Sequence, residues 1–293
     1  DWPAADTTLA RVRSRRPLLT PTEAAILDII EADIAGDLPG RLAAARTLTR
    51  LAPASTEGFT LAADVALRLS HPREAMDLLG RVDPERGLLL IAPYYWYTAT
   101  QALHSLGDHD REIEAARRSI RQFPSDGSLR YRLVAALAAS GNGKEAVTAA
   151  RELIPGDPFP AQSAAMMGMV AGLELRAHGK PAAATGILDS LAALPLPAAP
   201  DSASALFVRR LRGELLYALG RWRESERLLL PLRARLPDEL GLTGRLATLA
   251  ARLGRPEEAA RASTELAARP AKYLHGRQTF WRAHIAASLG ERD

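Results

Sequence analysis

Apolar side chains recur three and four residues apart in successive segments of the chain, each about a dozen residues long. Phe59, Ala62, Ala63 and Ala66 show this spacing within one such segment. It is the period at which one face of an α-helix meets a protein core. No segment alternates apolar and polar residues as a half-buried strand does. The pattern therefore predicts an all-α protein.

A small turn residue follows these segments at intervals of 34 to 41 residues. Glycine takes this place seven times and serine once, at Gly36, Ser70, Gly107, Gly141, Gly179, Gly220, Gly254 and Gly290. Glycine supplies the left-handed backbone that ends a helix. Two residues later stands proline or a bulky ring, as at Pro72 and Trp222, and proline suits the first turn of the next helix. The chain therefore predicts helical hairpins repeated in tandem.

This arrangement resembles the tetratricopeptide repeat. The best matching unit contains Trp96, Leu103, Gly107 within "LGDH", and Pro124; the next unit contributes Leu133, Leu137, Gly141, Ala146 and Pro158. The resemblance implies a right-handed superhelical α-solenoid of antiparallel helix-turn-helix repeats, whose concave groove faces other proteins. Two departures are Ser70 in place of glycine and Glu112 where alanine is usual.

The repeat register predicts a single solenoid over residues 1–293. Residues 1–21 are expected to be the second helix of a preceding unit, residues 22–275 about seven repeats, and residues 276–293 the first helix of a further unit. Solenoids normally end in polar caps, which neither end supplies. We therefore expect the chain to be an excerpt of a longer protein.

Composition narrows the class of protein. Hydrophobic residues make up 47% and charged residues 25% of the 293, and no apolar run reaches the roughly 18 residues of a membrane span. We expect a folded, cytoplasmic protein. The absence of cysteine excludes disulfides and thiolate chemistry. Only three of the 38 basic residues are lysines, a bias typical of a GC-rich genome, and the net charge of +4 does not predict a nucleic-acid partner.

No motif predicts catalysis. "GNGKEA" at Gly141–Ala146 lacks the first glycine and the Ser/Thr of a phosphate-binding loop. "HSLGDHD" places His104 and His109 near Asp108 and Asp110 without a ligand motif such as His-Glu-x-x-His. We interpret His109 as a packing ring and the aspartates as helix caps. No catalytic residue, cofactor or metal is expected.

The resemblance places the inner wall of the groove on the first helix of each repeat. Trp96 is assigned to the core, whereas residues thirteen, ten, six and three positions before each turn residue lie on the groove stripe. The candidate partner-binding residues are Tyr94, Tyr97, Gln101, His104, Tyr131, Met166, Met169, Arg176, Arg210 and Tyr217. Aromatic, methionine and arginine side chains are typical of binding centres. The alternative is that these rings only fill space between neighbouring first helices.

The leading functional hypothesis is a scaffold of bacterial type that binds a protein or peptide in its groove. The second is a regulatory region of a larger signalling protein, following a kinase, cyclase or DNA-binding domain. The third is an RNA-binding helical repeat. It requires a basic groove, whereas the stripe here includes Glu57 and Asp64.

Overall fold

The computed structural model describes residues 2–152, 154–157, 160–193, 203–269 and 276–290. These residues form α-helices and two short 3-10 turns and contain no β-strand. In chain order the helices are α1 (Trp2–Ser14), α2 (Pro21–Ala35), α3 (Leu38–Leu51), α4 (Thr56–Arg68), α5 (Pro72–Leu79), α6 (Tyr94–Leu106), α7 (His109–Gln122), α8 (Gly127–Ala139), α9 (Gly143–Arg151), α10 (Pro160–Ala177), α11 (Pro181–Ala192), α12 (Ala203–Ala218), α13 (Trp222–Arg235), α14 (Leu240–Arg252), α15 (Pro256–Ala267) and α16 (Arg277–Leu289). Within this described part, no helix has the length and apolar character needed to cross a bilayer.

The chain divides into two compact units, Asp1–Ala136 and Leu137–Asp293. In the first unit, consecutive helices of the series α2 to α7 pack on one another, and α4 also packs on α6. In the second unit, consecutive helices of the series α9 to α16 pack on one another, while α10 contacts α12 and α14 contacts α16. Each unit is thus a stack of helical hairpins, as the sequence predicted. The predicted division of the chain at residues 21 and 275 stays a prediction.

The turn residues behave as their spacing predicted. All seven anchor glycines have positive φ, and Ser70, at φ 61°, is the only non-glycine residue of the described ranges that does. After each turn residue from Gly36 to Gly254, the next amide reaches back five residues, as Asp108 N–H donates to the Leu103 carbonyl at 3.0 Å. This pairing satisfies carbonyls that the helix end leaves open. Helices α5, α11 and α15 begin at the predicted prolines.

Small residues let the two helices of a hairpin approach closely. Alanine five residues after the turn is fully buried at Ala75, Ala146, Ala184 and Ala259. On the opposing helix, a Cβ added at Gly213 would lie 2.4 Å from Leu229 Cδ2. Leu229 itself is fully buried. The core of each unit therefore lies between the helices of successive hairpins, and the remaining faces of the first helices are left for other contacts.

Candidate functional site

The four consecutive rings at the start of α6 have different surroundings. Trp96 is buried at 3% exposure, as predicted, and Tyr95 meets it edge to face with ring centroids 5.0 Å apart. Tyr94 is 59% exposed. Tyr97 is half-buried, and its hydroxyl donates a hydrogen bond to the Asp126 carboxylate. Because successive helical residues turn by about 100°, the rings cannot share one face. Tyr94 is the ring of this group that is open to a partner.

The Tyr97 hydroxyl is part of the structure of its repeat. Asp126 also accepts hydrogen bonds from the backbone amides of Ser128 and Leu129, at 2.8 and 3.3 Å, in the first turn of α8. Burial raises the pKa of Tyr97 to about 12, and the hydrogen bond to Asp126 acts in the same direction. Both effects favour the neutral phenol. Tyr97 therefore links α6 to the start of α8.

The segment that leads into Tyr94 is fixed by Gln122 at the end of α7. Trp96 Nε1 donates to Gln122 Oε1 at 2.8 Å, and Gln122 Nε2 donates to the Leu89 carbonyl at 3.1 Å. Leu90 and Ile91 remain 55% and 78% exposed just before Tyr94. An apolar stretch of surface is thus held in place by a partly buried polar link.

Arg132, which lies outside the predicted stripe positions, links Gln101 on α6 to Tyr131 on α8. Arg132 Nη2 donates to Gln101 Oε1 at 2.9 Å, and its guanidinium carbon lies 5.6 Å from the Tyr131 ring centroid. Tyr131 is 37% exposed. His104 is not part of this group. Its Nδ1 lies 3.1 Å from both carboxylate oxygens of Glu112 on α7.

On α10 of the second unit, two of the three predicted residues have structural contacts. Met166 is 39% exposed on α10, whereas Met169 packs against the core cluster that contains Leu188. Arg176 donates from Nη1 to the Ala218 carbonyl at the end of α12. Arg176 therefore ties α10 to α12, and Met166 is the more accessible of the two methionines.

Arg210 and Tyr217 lie on α12 and face groups of α14. Arg210 Nη1 is 3.1 Å from Glu239 Oε2, and Arg277 Nη2 of α16 is 3.8 Å from Glu239 Oε1. The Arg245 guanidinium carbon lies 3.9 Å from the Tyr217 ring centroid and 5.2 Å from that of Trp281. Three successive first helices are thus bridged by arginines.

The rings of α16 complete this surface. Phe280 is 55% exposed and its ring centroid lies 4.4 Å from that of His284 and 5.4 Å from that of Trp281. Arg245 is held by Glu214, whose Oε2 accepts from Nε at 2.7 Å. We call Tyr217, Arg245, Phe280, Trp281 and His284 the arginine–aromatic cluster.

Comparisons with known proteins bear on the fold. No protein-family model and no curated protein matches the chain. Among solved structures, a tetratricopeptide repeat protein from Parabacteroides merdae ATCC 43184 aligns over 92% of this chain and 99% of its own, with 11% identity and a TM-score of 0.50. The chain has a tetratricopeptide-repeat-like fold. The apo form of RapI (11% identity, TM-score 0.45) covers 98% of this chain and 92% of its own. In the APC/C hetero-tetramer Cut9–Hcn1 (12% identity, TM-score 0.39), the match covers 97% of this chain and 57% of the other.

In the tetratricopeptide-repeat-like fold, part of the arginine–aromatic cluster could have been found by sequence. Phe280 and His284 lie ten and six residues before Gly290, on the predicted stripe. Arg245 and Trp281 each lie nine residues before their turn glycines, one position off that stripe. Gly244 occupies a stripe position and carries no side chain, so Arg245 and Trp281 can extend onto the stripe. The predicted groove residues end at Tyr217 and do not extend into the two repeats that contain Arg245 and Trp281.

Proposed function

We propose that this chain is a protein-interaction module that binds a protein or peptide through the groove stripe of its first helices, here called the inner stripe. The observation that carries the proposal is the exposure of large rings at stripe positions: Tyr94 at 59%, Tyr131 at 37% and Phe280 at 55%. Core positions of the same helices, such as Trp96, are buried. Packing therefore accounts for one set of rings and leaves the other available.

The residue types support a protein or peptide partner. Tyrosine, tryptophan and arginine dominate the energetics of protein interfaces because they bury large areas at a small entropic cost. In the arginine–aromatic cluster, Glu214 holds Arg245 in place against Tyr217. Such an anchor needs little ordering when a partner binds.

The charges of this surface favour protein over nucleic acid. Arg210 and Arg277 share Glu239, and Arg245 is paired with Glu214. A surface that binds phosphates needs cations that are available to displace counterions. Here Arg210, Arg245 and Arg277 lie against carboxylates, and Arg176 donates to the Ala218 carbonyl. The module is suited to act alone or as a regulatory segment of a larger signalling protein, and it needs no catalytic group in either role.

The test uses the purified chain as bait in an extract of its source organism, followed by titration of each captured partner in purified form. Two inner variants are compared, Tyr94→Ala combined with Tyr131→Ala, and Phe280→Ala. The matched controls are Leu51→Ala and Leu230→Ala, which remove exposed apolar side chains (44% and 53%) from the second helices α3 and α13.

We expect at least one inner variant to weaken binding tenfold or more, about 1.4 kcal/mol, and both controls to bind as the unaltered chain does. Equal affinities for all variants would exclude the inner stripe as the binding surface. Capture that is lost after ribonuclease treatment and falls steeply with salt would identify RNA as the ligand instead.

A further inference from the structure

The turn between α6 and α7 holds a buried carboxylate where five of the six other hairpins have a small side chain; after Gly36 the position is Arg41. Glu112, five residues after Gly107, is fully buried. The equivalent residues Ala75, Ala146, Ala184 and Ala259 are also fully buried, and Ser225 takes this place after Gly220. A carboxylate is costly in such a position unless cations or hydrogen-bond donors compensate it. The hairpin backbone does not require it, since alanine forms the same turn elsewhere.

Two histidines, both partly buried, face this carboxylate from different helices. His104 Nδ1, in the last turn of α6, lies 3.1 Å from Oε1 and 3.1 Å from Oε2 of Glu112. His109 Nδ1, at the first residue of α7, lies 3.0 Å from Oε2. The two imidazole centroids are 5.3 Å apart. Two nitrogens and a carboxylate oxygen, all within 4.8 Å of one another, thus converge on one point.

This geometry matches that of a transition-metal site. Zinc binds imidazole nitrogen and carboxylate oxygen at about 2.0–2.2 Å in a tetrahedral arrangement, which places ligand atoms roughly 3.3 Å apart. The observed separations between the imidazole nitrogens and the carboxylate are close to that value. Two imidazoles with one carboxylate are a donor set for a divalent transition metal, whereas calcium and magnesium prefer oxygen alone.

We propose that His104, His109 and Glu112 bind one zinc ion and so tie the end of α6 to the first turn of α7. None of the three residues has a counterpart of its type at the same position of another repeat: the position of His104 is Leu67 or Ala138 in the flanking repeats, that of His109 is Pro72 or Gly143, and that of Glu112 is Ala75 or Ala146. The sequence predicts no metal here because these residues form no recognised ligand motif such as His-Glu-x-x-His. In the repeat pattern Glu112 is only a departure from alanine.

The local backbone holds the ligands in place. Gly107, at φ 71°, reverses the chain between the two histidines. Asp108 caps α7 by accepting from the Arg111 amide at 3.4 Å and from Arg111 Nη1 at 3.1 Å. Asp108 is therefore used in capping, and the buried Glu112 supplies the third ligand.

The test titrates the full chain, first treated with a chelator and then exchanged into buffer, with zinc chloride in competition with a chromophoric chelator. We expect one zinc per chain and a higher unfolding temperature in zinc, because a ligand that binds only the folded state stabilises it. Substitution by cobalt is expected to give the visible absorption bands of a tetrahedral site.

Three variants remove one donor each: His104→Ala, His109→Ala and Glu112→Gln. Glu112→Gln keeps the size of the side chain, and His104 is 28% exposed in its side chain, so both are expected to fold; circular dichroism checks this. His71→Ala is the matched control. His71 occupies the preceding hairpin turn, with Nδ1 3.4 Å from Glu74, but has no buried carboxylate beside it.

We expect each ligand variant to bind zinc at least tenfold more weakly and His71→Ala to bind it unchanged. The proposal is overturned if the unaltered chain takes up no stoichiometric zinc. It is equally overturned if folded His104→Ala and Glu112→Gln bind zinc as tightly as the unaltered chain.

Discussion

Gly244 of α14 lies against the indole of Trp281 on α16, so closely that a Cβ added to Gly244 would stand 2.2 Å from Trp281 Cδ2. Real side-chain atoms do not approach one another to this distance. Gly244 is therefore the residue that lets two successive first helices pack face to face. The same contact positions Trp281 5.2 Å from the guanidinium of Arg245 and so builds the arginine–aromatic cluster.

Gly244→Ala is expected to destabilise the protein although alanine is the better helix former. Helix propensity alone favours alanine by about 1 kcal/mol. Forcing Trp281 away from its packed position costs more, and we expect a net loss of about 1–3 kcal/mol. Urea unfolding of the two proteins measures the difference.

Gly186→Ala in α11 is the control for this prediction. No heavy atom lies within 4 Å of a Cβ built on Gly186, which is exposed. Helix propensity then acts alone, and the free energy of unfolding of this variant is expected to rise by up to about 1 kcal/mol. If both variants gained stability, Trp281 would not pack on Gly244 in the way described.

Ser70→Gly is expected to stabilise the first unit. Ser70 has φ 61°, the left-handed conformation that glycine adopts at the other turns, and a side chain is strained there. Relief of that strain outweighs the larger entropy of glycine in the unfolded chain, and we expect a gain of about 0.5–1 kcal/mol. The reciprocal change Gly107→Ser is expected to lose stability. Thermal unfolding measures both, and a loss on Ser70→Gly would contradict the assigned turn.

The turns and helix starts could be predicted from sequence because one residue decides each of them. A left-handed residue ends a helix and proline suits the first turn of the next one, so Gly107 and Pro72 mark boundaries. Proline alone does not suffice, since Pro231 lies inside α13. The burial of Trp96 followed from its helical register. Even Ser70 could be placed, since the spacing of the glycines on either side fixes its position in the repeat.

The partners of the stripe side chains could not be predicted in this way. Tyr97 is held by Asp126 and Arg176 by the Ala218 carbonyl, and these groups lie 29 and 42 residues away along the chain. Which groups meet depends on the rotation between neighbouring hairpins, which no local pattern encodes. The burial of Glu112 beside two histidines likewise required coordinates.

Tyr97→Phe is expected to change how stability depends on pH above 10. The folded pKa of Tyr97 is raised to about 12, mainly by burial, against about 10 for an exposed tyrosine. A group whose pKa is raised on folding contributes stability that is present below its unfolded pKa and is lost as pH rises through the folded value. The loss should therefore fall between pH 10 and pH 12.

The measurement is the free energy of unfolding of both proteins at several pH values from 9 to 12. The difference between them isolates Tyr97, because the other tyrosines and lysines titrate in both. We expect the unaltered chain to lose its advantage over Tyr97→Phe across this window. Parallel curves would show that the Tyr97 hydroxyl is not buried against Asp126.

Arg245→Lys is expected to destabilise the second unit although it keeps the charge. The planar guanidinium lies 3.9 Å from the Tyr217 ring centroid while Nε donates to Glu214 at 2.7 Å. A lysine ammonium can hold the carboxylate or lie over the ring, but it lacks the flat fork that does both. We expect a loss of about 1–2 kcal/mol.

Arg233→Lys is the matched control for Arg245. Its guanidinium also contacts a carboxylate, Glu265 Oε2 at 3.3 Å, but the side chain is 47% exposed and lies on the second helix α13. Exposed ion pairs contribute little, so its change should stay within about 0.5 kcal/mol. Equal losses for the two variants would mean that charge alone holds Arg245. A loss confined to Arg245→Lys, together with weaker partner binding, would show that the stacked guanidinium organises the inner surface of α12, α14 and α16.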